Sequence, residues 1–181
     1  MSENEHITKV LQASTPFETL PASLLASIAA IGRPAHFRAG ETIYEVGSPA
    51  ETIYLILHGQ VEHSFDPGVV AAAQLVKIVG PGAVFGWAAL LKTPVGAAPP
   101  HRLARTVSVG DSDVLVLDAL ELVAVLDTLP GAKQDVMGRF ASMVRHLYGF
   151  AGFVKVGDKL VPAAISRSES GPPPSYDTFG F

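Results

Sequence analysis

Cysteine is absent from this chain of 181 residues. Without a thiol, the chain cannot form disulfides, hold zinc or an iron–sulfur cluster through sulfur, or use a cysteine nucleophile. A chain without cysteine is compatible with the reducing cytosol, and we expect a cytoplasmic location.

Basic residues are also few. The sequence has 13 Lys and Arg against 17 Asp and Glu, which gives a formal net charge of −4, and the basic residues form no cluster. Because neutralisation of phosphates drives the affinity of proteins for nucleic acids, this balance predicts no direct nucleic-acid binding.

Long apolar runs are missing as well. No segment reaches the length of about 18 apolar residues that a membrane-spanning helix needs. The polar, acidic start MSENEHITK lacks the basic and apolar parts of a secretory signal peptide. We therefore expect no membrane insertion.

Short apolar segments between glycines dominate the middle of the chain. They are rich in Ile, Val, Tyr and Leu, and their regular spacing predicts the strands of a β-sandwich or barrel. Gly59, between two such segments, indicates a tight reversal with a positive φ. The predicted strands are residues 36–37, 42–45, 52–58, 60–65, 73–79, 105–109 and 114–117.

Helical patterns flank the strands. A short amphipathic helix is predicted over about 22–31, where apolar residues recur at helical spacing before Gly32. Asp118, with Glu121 three residues later, predicts a capped helix to about residue 127. A long helix is predicted from 131 to 153, and its apolar stripe can pack on the chain's own core or pair with a second subunit. We favour the pairing, which makes these residues a partner helix: Met137, Phe140, Val144 and Leu147.

The two ends of the chain differ from the predicted folded domain at 16–153. Residues 1–15 are polar, and we expect them to be flexible. Residues 154–181 are rich in Ser, Gly and Pro, which predicts a disordered tail. The tail ends with Tyr176, Phe179 and Phe181, so it is either a dispensable segment or a docking peptide for a partner groove.

A glycine-punctuated turn at 80–91 leads into a short apolar helical turn near Trp87. Free backbone N–H groups at such a turn suit an anion, although a corner that needs small residues would have the same pattern. Arg102 and Arg105 flank the next strand, and a guanidinium there could complete a phosphate clamp.

Several segments recur in an order that is typical of one family: FRAGETI at 37–43, Gly47, IYLILHGQV at 53–61, GPG at 80–82, Phe85-Gly86, RTV at 105–107 and VLVLD at 114–118. Over about residues 17–150 the chain resembles the cyclic nucleotide-binding domain of catabolite-activator-like regulators, kinase regulatory subunits and gated channels. The resemblance implies a mainly β fold, an eight-stranded jelly roll with flanking α-helices and a long C-terminal helix.

The resemblance also implies a phosphate-binding cassette, which diverges here. The family places a glutamate after Phe-Gly to accept from the ribose 2′-hydroxyl, but this chain has Trp87, which has no acceptor. The family's phosphate-binding arginine aligns at about Leu103, so that Arg102 and Arg105 are both candidates. We expect no resident cofactor and a small anionic ligand, for which cAMP and cGMP are candidates. The predicted ligand-binding residues are Phe85, Gly86, Trp87, Ala88, Ala89, Arg102, Arg105 and Thr106.

The hypothesis that follows is a stand-alone, bacterial-type, non-catalytic sensor that signals through its C-terminal helix to a protein partner or a dimer mate. Too few residues follow position 153 for the DNA-binding module of the related regulators. The alternative is a ligand-free adaptor that uses the fold as a scaffold, with Trp87 filling the pocket. A metal-dependent, cupin-like enzyme using His58, Glu62 and His63 is disfavoured because the odd spacing of the histidines does not suit one strand face. A haem sensor would use His63 or His101.

Overall fold

The computed structural model describes residues 2–65, 76–91, 100–148, 150–156 and 159–164. Within these residues, eight strands form two four-stranded antiparallel sheets, four helices flank them, and a hairpin follows. The helices are α1 (Glu3–Ala13), α2 (Ala22–Ile31), α3 (Ala119–Leu126) and α4 (Ala132–Tyr148). The strands are β1 (Arg33–Phe37), β2 (Thr42–Tyr44), β3 (Thr52–His58), β4 (Val61–Phe65), β5 (Val76–Val79), β6 (Val84–Phe85), β7 (Ala104–Ser108), β8 (Ser112–Asp118), β9 (Phe150–Val156) and β10 (Lys159–Ala164).

The strand order in one sheet is β1-β8-β3-β6 and in the other β2-β7-β4-β5. Each of the seven predicted strands has a counterpart, and β3 has the predicted bounds. The strand predicted at 73–79 is observed as Val76–Val79, and its first residues lie outside the described part of the chain. The sequence pattern missed β6, which has two residues and is too short to show an alternation.

Strands β4 and β7 each bury one face. In β4, Val61, His63 and Phe65 are buried and the two residues between them are partly exposed, because successive side chains of a strand point to opposite faces. In the register, Thr106 of β7 lies opposite His63 of β4. Directly opposite residues of an antiparallel pair share a face, so both side chains point into the space between the sheets.

The turn between β3 and β4 has the predicted geometry. Gly59 has a φ of 86°, which is the left-handed region that glycine enters without a steric cost. Asp118 likewise caps α3, since its side chain accepts from the backbone N–H groups of Leu120 and Glu121.

Helix α4 packs against the chain's own core. Met137, Phe140 and Val144 are buried, and the ring of Phe140 meets that of Phe17 edge to face at 6.0 Å between centroids. The prediction that these three residues form an intersubunit stripe is therefore wrong, since the 3.6-residue period does not say which partner covers an apolar face. The side chain of Leu147 lies outside the described residues.

The N-terminal segment is a helix where a flexible segment was predicted. Ser2 and Glu5 form a reciprocal capping box at the start of α1, and Ile7 and Leu11 are buried one turn apart on the same side of it. A capped helix with two buried side chains is held in place despite its polar composition.

The chain after α4 also differs from the prediction, which continued the helix to residue 153 and made 154–181 a disordered tail. Helix α4 ends at Tyr148, and β9 pairs with β10 as an antiparallel hairpin. The alternating Val154 and Val156 before Gly157-Asp158, with apolar Leu160 and Val161 after it, are typical of the sequence of a hairpin. The aromatic residues of the predicted docking peptide, Tyr176, Phe179 and Phe181, lie outside the described residues.

The helices in the described ranges are too short or too polar for one of them to cross a lipid bilayer.

Candidate ligand-binding pocket

Gly86 forms the corner that begins the candidate site. It follows β6, has a φ of 81°, and is succeeded by a short 3₁₀ helix at Trp87–Leu90 whose side chains are all buried. A Cβ atom at this position would lie 2.9 Å from Nη1 of Arg102 and 2.9 Å from the carbonyl oxygen of Thr52. The position therefore needs glycine both for its backbone conformation and for the close approach of two neighbours.

Arg102 reaches this corner from the segment before β7. Its side chain is buried, with 4% of the residue exposed. Nη1 donates to the carbonyl oxygen of Gly86 at 3.0 Å, and Nη2 donates to Oγ1 of Thr52 at 3.0 Å. The guanidinium carbon lies 4.4 Å from the centroid of the Tyr44 ring, a cation–π geometry. Arg102 is therefore held in place by four partners from different parts of the chain: Gly86, Thr52, Tyr44 and, at a longer distance, Tyr54.

The charge of Arg102 has no anionic partner in direct contact. Within the described ranges, none of the ion pairs includes this residue. Burial lowers the pKa of Arg102 from its usual value, but a guanidinium stays protonated at neutral pH. Glu51 and the rings of Tyr44 and Tyr54 favour the charge of Arg102 from a distance. A buried cation without a carboxylate in direct contact is suited to binding an anion.

Arg105 does not belong to this site, although the sequence made it an equal candidate. Its side chain is 48% exposed and forms an ion pair with Glu45 at 3.1 Å. Residues of β7 alternate between the two faces of the sheet, so Ala104 and Thr106 point inward and Arg105 points to solvent. The prediction of Arg105 as a ligand-binding residue is wrong for this reason.

Thr106 and His63 form a buried polar pair between the sheets. Thr106 is fully buried, and its Oγ1 lies 2.8 Å from Nδ1 of His63. His63 is 2% exposed, and desolvation by burial lowers its pKa to about 4. The imidazole is therefore neutral at pH 7, with an environment unlike that of a surface histidine.

Sequence reasoning assigned Thr106 to the site and missed His63 as a pocket residue. His63 was weighed only as a metal or haem ligand, or as a surface residue. Its alternation with the apolar residues Val61 and Phe65 would have placed it on the buried face of β4.

Aromatic rings form one wall of the site. Phe85 stacks on Tyr54 with 4.8 Å between centroids and 9° between planes, and the His63 ring lies 5.2 Å from Phe85. The only tryptophan of the chain, Trp87, is 5% exposed and begins the 3₁₀ helix.

A small cavity of about 20 Å³ lies where these groups meet. Of the predicted residues, Phe85, Gly86, Trp87, Ala88 and Arg102 line it, while Ala89 is buried without lining it. The volume accommodates a group of about the size of one water molecule. The sequence therefore identified five of the ten residues that line the cavity, but not its small size.

Two nitrogens of the site are buried without a hydrogen-bond partner in the described part of the chain. They are Nε2 of His63 and Nε of Arg102, and both residues line the cavity. Buried polar atoms normally have partners, so a pair of unpartnered atoms around one cavity marks it as a polar binding position.

The residues of the cupin-like alternative are not brought together. His58 is exposed at the end of β3, whereas His63 is buried in the other sheet. Within the described ranges, no three His, Asp or Glu side chains are grouped as metal ligands would be.

The sequence profile of the cyclic nucleotide-binding domain family matches residues 34–128, which span β1 to α3 and include the whole candidate site. The chain therefore belongs to this family. It is 28% identical over 117 residues to cyclic nucleotide-gated channel alpha-4 of Mus musculus and of Rattus norvegicus. The match covers 65% of this chain and 20% of each channel subunit, so the chain spans about a fifth of the length of these relatives.

Solved structures share the fold. A putative cyclic nucleotide-binding protein from Geobacter metallireducens has a TM-score of 0.62 at 24% identity, covering 81% of this chain and 98% of its own. The regulatory domain of Toxoplasma gondii PKA, crystallised with cAMP, has a TM-score of 0.60 at 22% identity, covering 80% and 53%. The sensor domain of the regulator DNR from Pseudomonas aeruginosa has a TM-score of 0.62 at 15% identity, covering 81% and 93%. The predicted mainly β jelly roll with flanking helices is confirmed.

Proposed function

We propose that this domain is a non-catalytic sensor that binds a small anionic ligand at Arg102, with a cyclic nucleotide such as cAMP or cGMP as the leading candidate. The observation that carries the proposal is the buried guanidinium of Arg102, which has no carboxylate in contact within the described residues and lines a cavity. Such a charge is stabilised most by an anion that replaces the water lost on burial.

The pocket is too small for a nucleotide. Its cavity of about 20 Å³ is far below the roughly 300 Å³ at which small-molecule pockets begin. Trp87 occupies the position from which the resemblance implies a ribose-binding carboxylate. A nucleotide can enter only if the 3₁₀ helix at Trp87–Leu90 moves, so the ligand would select a second, open conformation.

Packed side chains can transmit a movement of the 3₁₀ helix at Trp87–Leu90 to the flanking α-helices. Trp87 and Leu90 belong to the same buried cluster as Phe140 of α4 and Leu11 of α1. In addition, Oγ of Ser14, just after α1, donates to the carbonyl oxygen of Gly82 at 2.8 Å. Because close-packed cores do not deform continuously, displacing the indole would repack α1 and α4. The repacked helices would signal to a dimer mate or another protein, in the cytoplasm.

The test uses the fluorescence of Trp87, since no other tryptophan contributes to it. Addition of cAMP or cGMP should give a saturable change in emission, matched by heat of binding in calorimetry. Arg102→Lys should abolish both the emission change and the heat of binding, because a lysine cannot reproduce the contacts that the guanidinium makes through several nitrogens at once. Arg105→Lys is the matched control and should bind as the unmodified protein does. Equal binding by both variants would contradict the proposal.

A ligand-free adaptor is the second candidate, and the burial of Trp87 favours it. An indole that is 5% exposed fills the place of a ligand and stabilises the core by its own burial. If this candidate holds, none of the nucleotides changes the fluorescence, the heat or the melting temperature, and Trp87→Ala destabilises the fold without creating affinity for a nucleotide.

A further inference from the structure

The cavity has a second polar side besides the guanidinium of Arg102. His63 contributes it from the middle of β4, and its Nε2 is buried and unpartnered within the described residues, as Nε of Arg102 is. The two residues come from separate elements and line the same small space. This arrangement suits one bound group that contacts both residues, rather than two separate sites.

The hydroxyl of Thr106 decides which nitrogen of His63 carries the proton. Thr106 is fully buried, and its Oγ1 has Nδ1 of His63 as its hydrogen-bond partner within the described residues. If the hydroxyl donates to Nδ1, its single hydrogen is satisfied. In the other tautomer Nδ1 donates to Oγ1, and the buried hydroxyl hydrogen is left without an acceptor. The first arrangement is favoured, and it puts the imidazole hydrogen on Nε2.

His63 then has a donor without a partner at Nε2, and Arg102 has one at Nε, within the described residues. The strand register adds another cationic residue, because Lys77 of β5 lies directly opposite His63 and is half-buried on the same face. On the other side, Thr106 lies opposite Tyr44 of β2. This cross-strand row thus presents hydrogen-bonding groups and one positive charge, and it contains no carboxylate: Tyr44, Thr106, His63 and Lys77.

We propose that His63 is a specificity-determining residue that donates from Nε2 to an oxyanion of the ligand while Arg102 binds the same group through its guanidinium. The proposal rests on the proposed sensor function and deepens it, since it assigns the ligand's acidic group to the space between β4 and the Arg102 segment. Phosphate is the chemistry that both donors share, and it can come from a nucleotide or from free inorganic phosphate.

The test is nitrogen-15 NMR of the full chain labelled at its six histidines. The His63 signals, assigned by their loss in His63→Phe, should show Nε2 protonated before any addition. Titration with cAMP, cGMP, AMP and inorganic phosphate should then shift the Nε2 signal saturably for the probe that binds. A shift with inorganic phosphate alone identifies the free anion as the source, and a shift with a nucleotide alone identifies the nucleotide.

Calorimetry with the same probes adds a measure of affinity. His63→Phe keeps a ring of similar size but removes the donor, and it should weaken binding by about 10- to 100-fold, the range for a lost hydrogen bond to a charged group. His58→Phe makes the same substitution at an exposed histidine and should leave the affinity unchanged. The NMR titration itself uses the unmodified protein. If His63→Phe is unstable, the His63 signals are assigned by elimination, from single phenylalanine substitutions of the five exposed histidines: His6, His36, His58, His101 and His146.

The outcomes separate this inference from the proposed function. If a probe binds and Arg102→Lys abolishes binding, but the His63 signals stay in place, His63 is a structural residue and the inference is overturned while the sensor function stands. If no probe shifts any signal or releases heat, both are overturned.

Discussion

Arg102 donates from Nη1 to the carbonyl oxygen of Gly86 at 3.0 Å, across sixteen positions of sequence. The contact joins the segment that enters β7 to the left-handed corner that begins the 3₁₀ helix at Trp87–Leu90. It holds the guanidinium over the Tyr44 ring and at the edge of the cavity. The shape of the pocket depends on this contact between Arg102 and Gly86, and the first two predictions test it.

Substitution of Gly86 should destabilise the fold more than substitution of a glycine with the same backbone conformation elsewhere. Gly86→Ala introduces a Cβ at 2.9 Å from Arg102 into a residue with a φ of 81°, and a left-handed alanine alone costs about 1–2 kcal/mol. Gly40→Ala is the control, since Gly40 has a φ of 79° and nothing within 4 Å of the added atom. Urea denaturation should show a lower free energy of unfolding for Gly86→Ala, and equal values would contradict the close approach.

The two arginines should differ in what they contribute to stability. Arg102→Lys removes two hydrogen bonds from a buried site, so we expect the free energy of unfolding to fall by about 1–3 kcal/mol. Arg105→Lys changes an exposed ion pair with Glu45, for which less than about 1 kcal/mol is expected. Chemical denaturation of both variants without ligand measures the difference. A larger loss of stability for Arg105→Lys would mean that Arg102 is not the buried, hydrogen-bonded arginine.

His63 should make the protein less stable in mild acid. Its pKa is about 4 in the folded protein against about 6.5 in the unfolded chain. Between these values the unfolded chain binds a proton that the folded protein does not, so the contribution of His63 is complete above pH about 6.5 and is lost as the pH falls towards about 4. The full loss amounts to about 3 kcal/mol.

Urea denaturation at a series of pH values checks this, with His63→Phe as the comparison. The free energy of unfolding of His63→Phe should fall less steeply between pH about 6.5 and about 4. His58→Phe should keep the slope of the unmodified protein. Identical slopes for all three proteins would mean that His63 is accessible to solvent and protonates freely when folded.

Phe140 should be a core residue of the monomer rather than a subunit contact. Phe140→Ala leaves a cavity against Phe17, and such changes cost about 3–5 kcal/mol. Leu120→Ala, at a position that is 67% exposed, should cost less than about 0.5 kcal/mol. Denaturation measures both changes. Sedimentation of the remaining folded Phe140→Ala should give the mass of the unmodified protein, and a halved mass would restore the interpretation of α4 as a dimer helix.

Local patterns predicted most of the sheet residues and one helix cap correctly. The left-handed turn at Gly59 and the cap at Asp118 depend on neighbours within a few residues, so the sequence shows them directly. The capped helix α1 was missed because its polar surface hides two buried residues, Ile7 and Leu11. The hairpin of β9 and β10 was missed because the composition of the whole tail outweighed a short alternating pattern within it.

The candidate site was predicted in part. The glycine corner and Trp87 were named from the glycine-punctuated turn at 80–91, and Arg102 as one of two arginines that flank the next strand; all three line the cavity. Arg105 was an equal candidate because the sequence does not show which face of β7 points into the space between the sheets. The alternation of His63 with Val61 and Phe65 was a usable signal for its burial, whereas its partner Thr106, 43 positions away along the chain, could be identified only from the structure.

By itself, the sequence determined the elements that short-range chemistry controls: the alternation of the strands, the left-handed glycines, the cap of α3, and an acidic chain without thiols. Only the tertiary structure decided which side chains share a buried space. Burial removes the water that would otherwise solvate Arg102 and His63, and the register of the sheet sets which residues replace it. Neither burial nor register is a property of a short segment. Only the folded chain therefore shows the small pocket, the two donors of Arg102 and His63, and the face of α4 that points into the core.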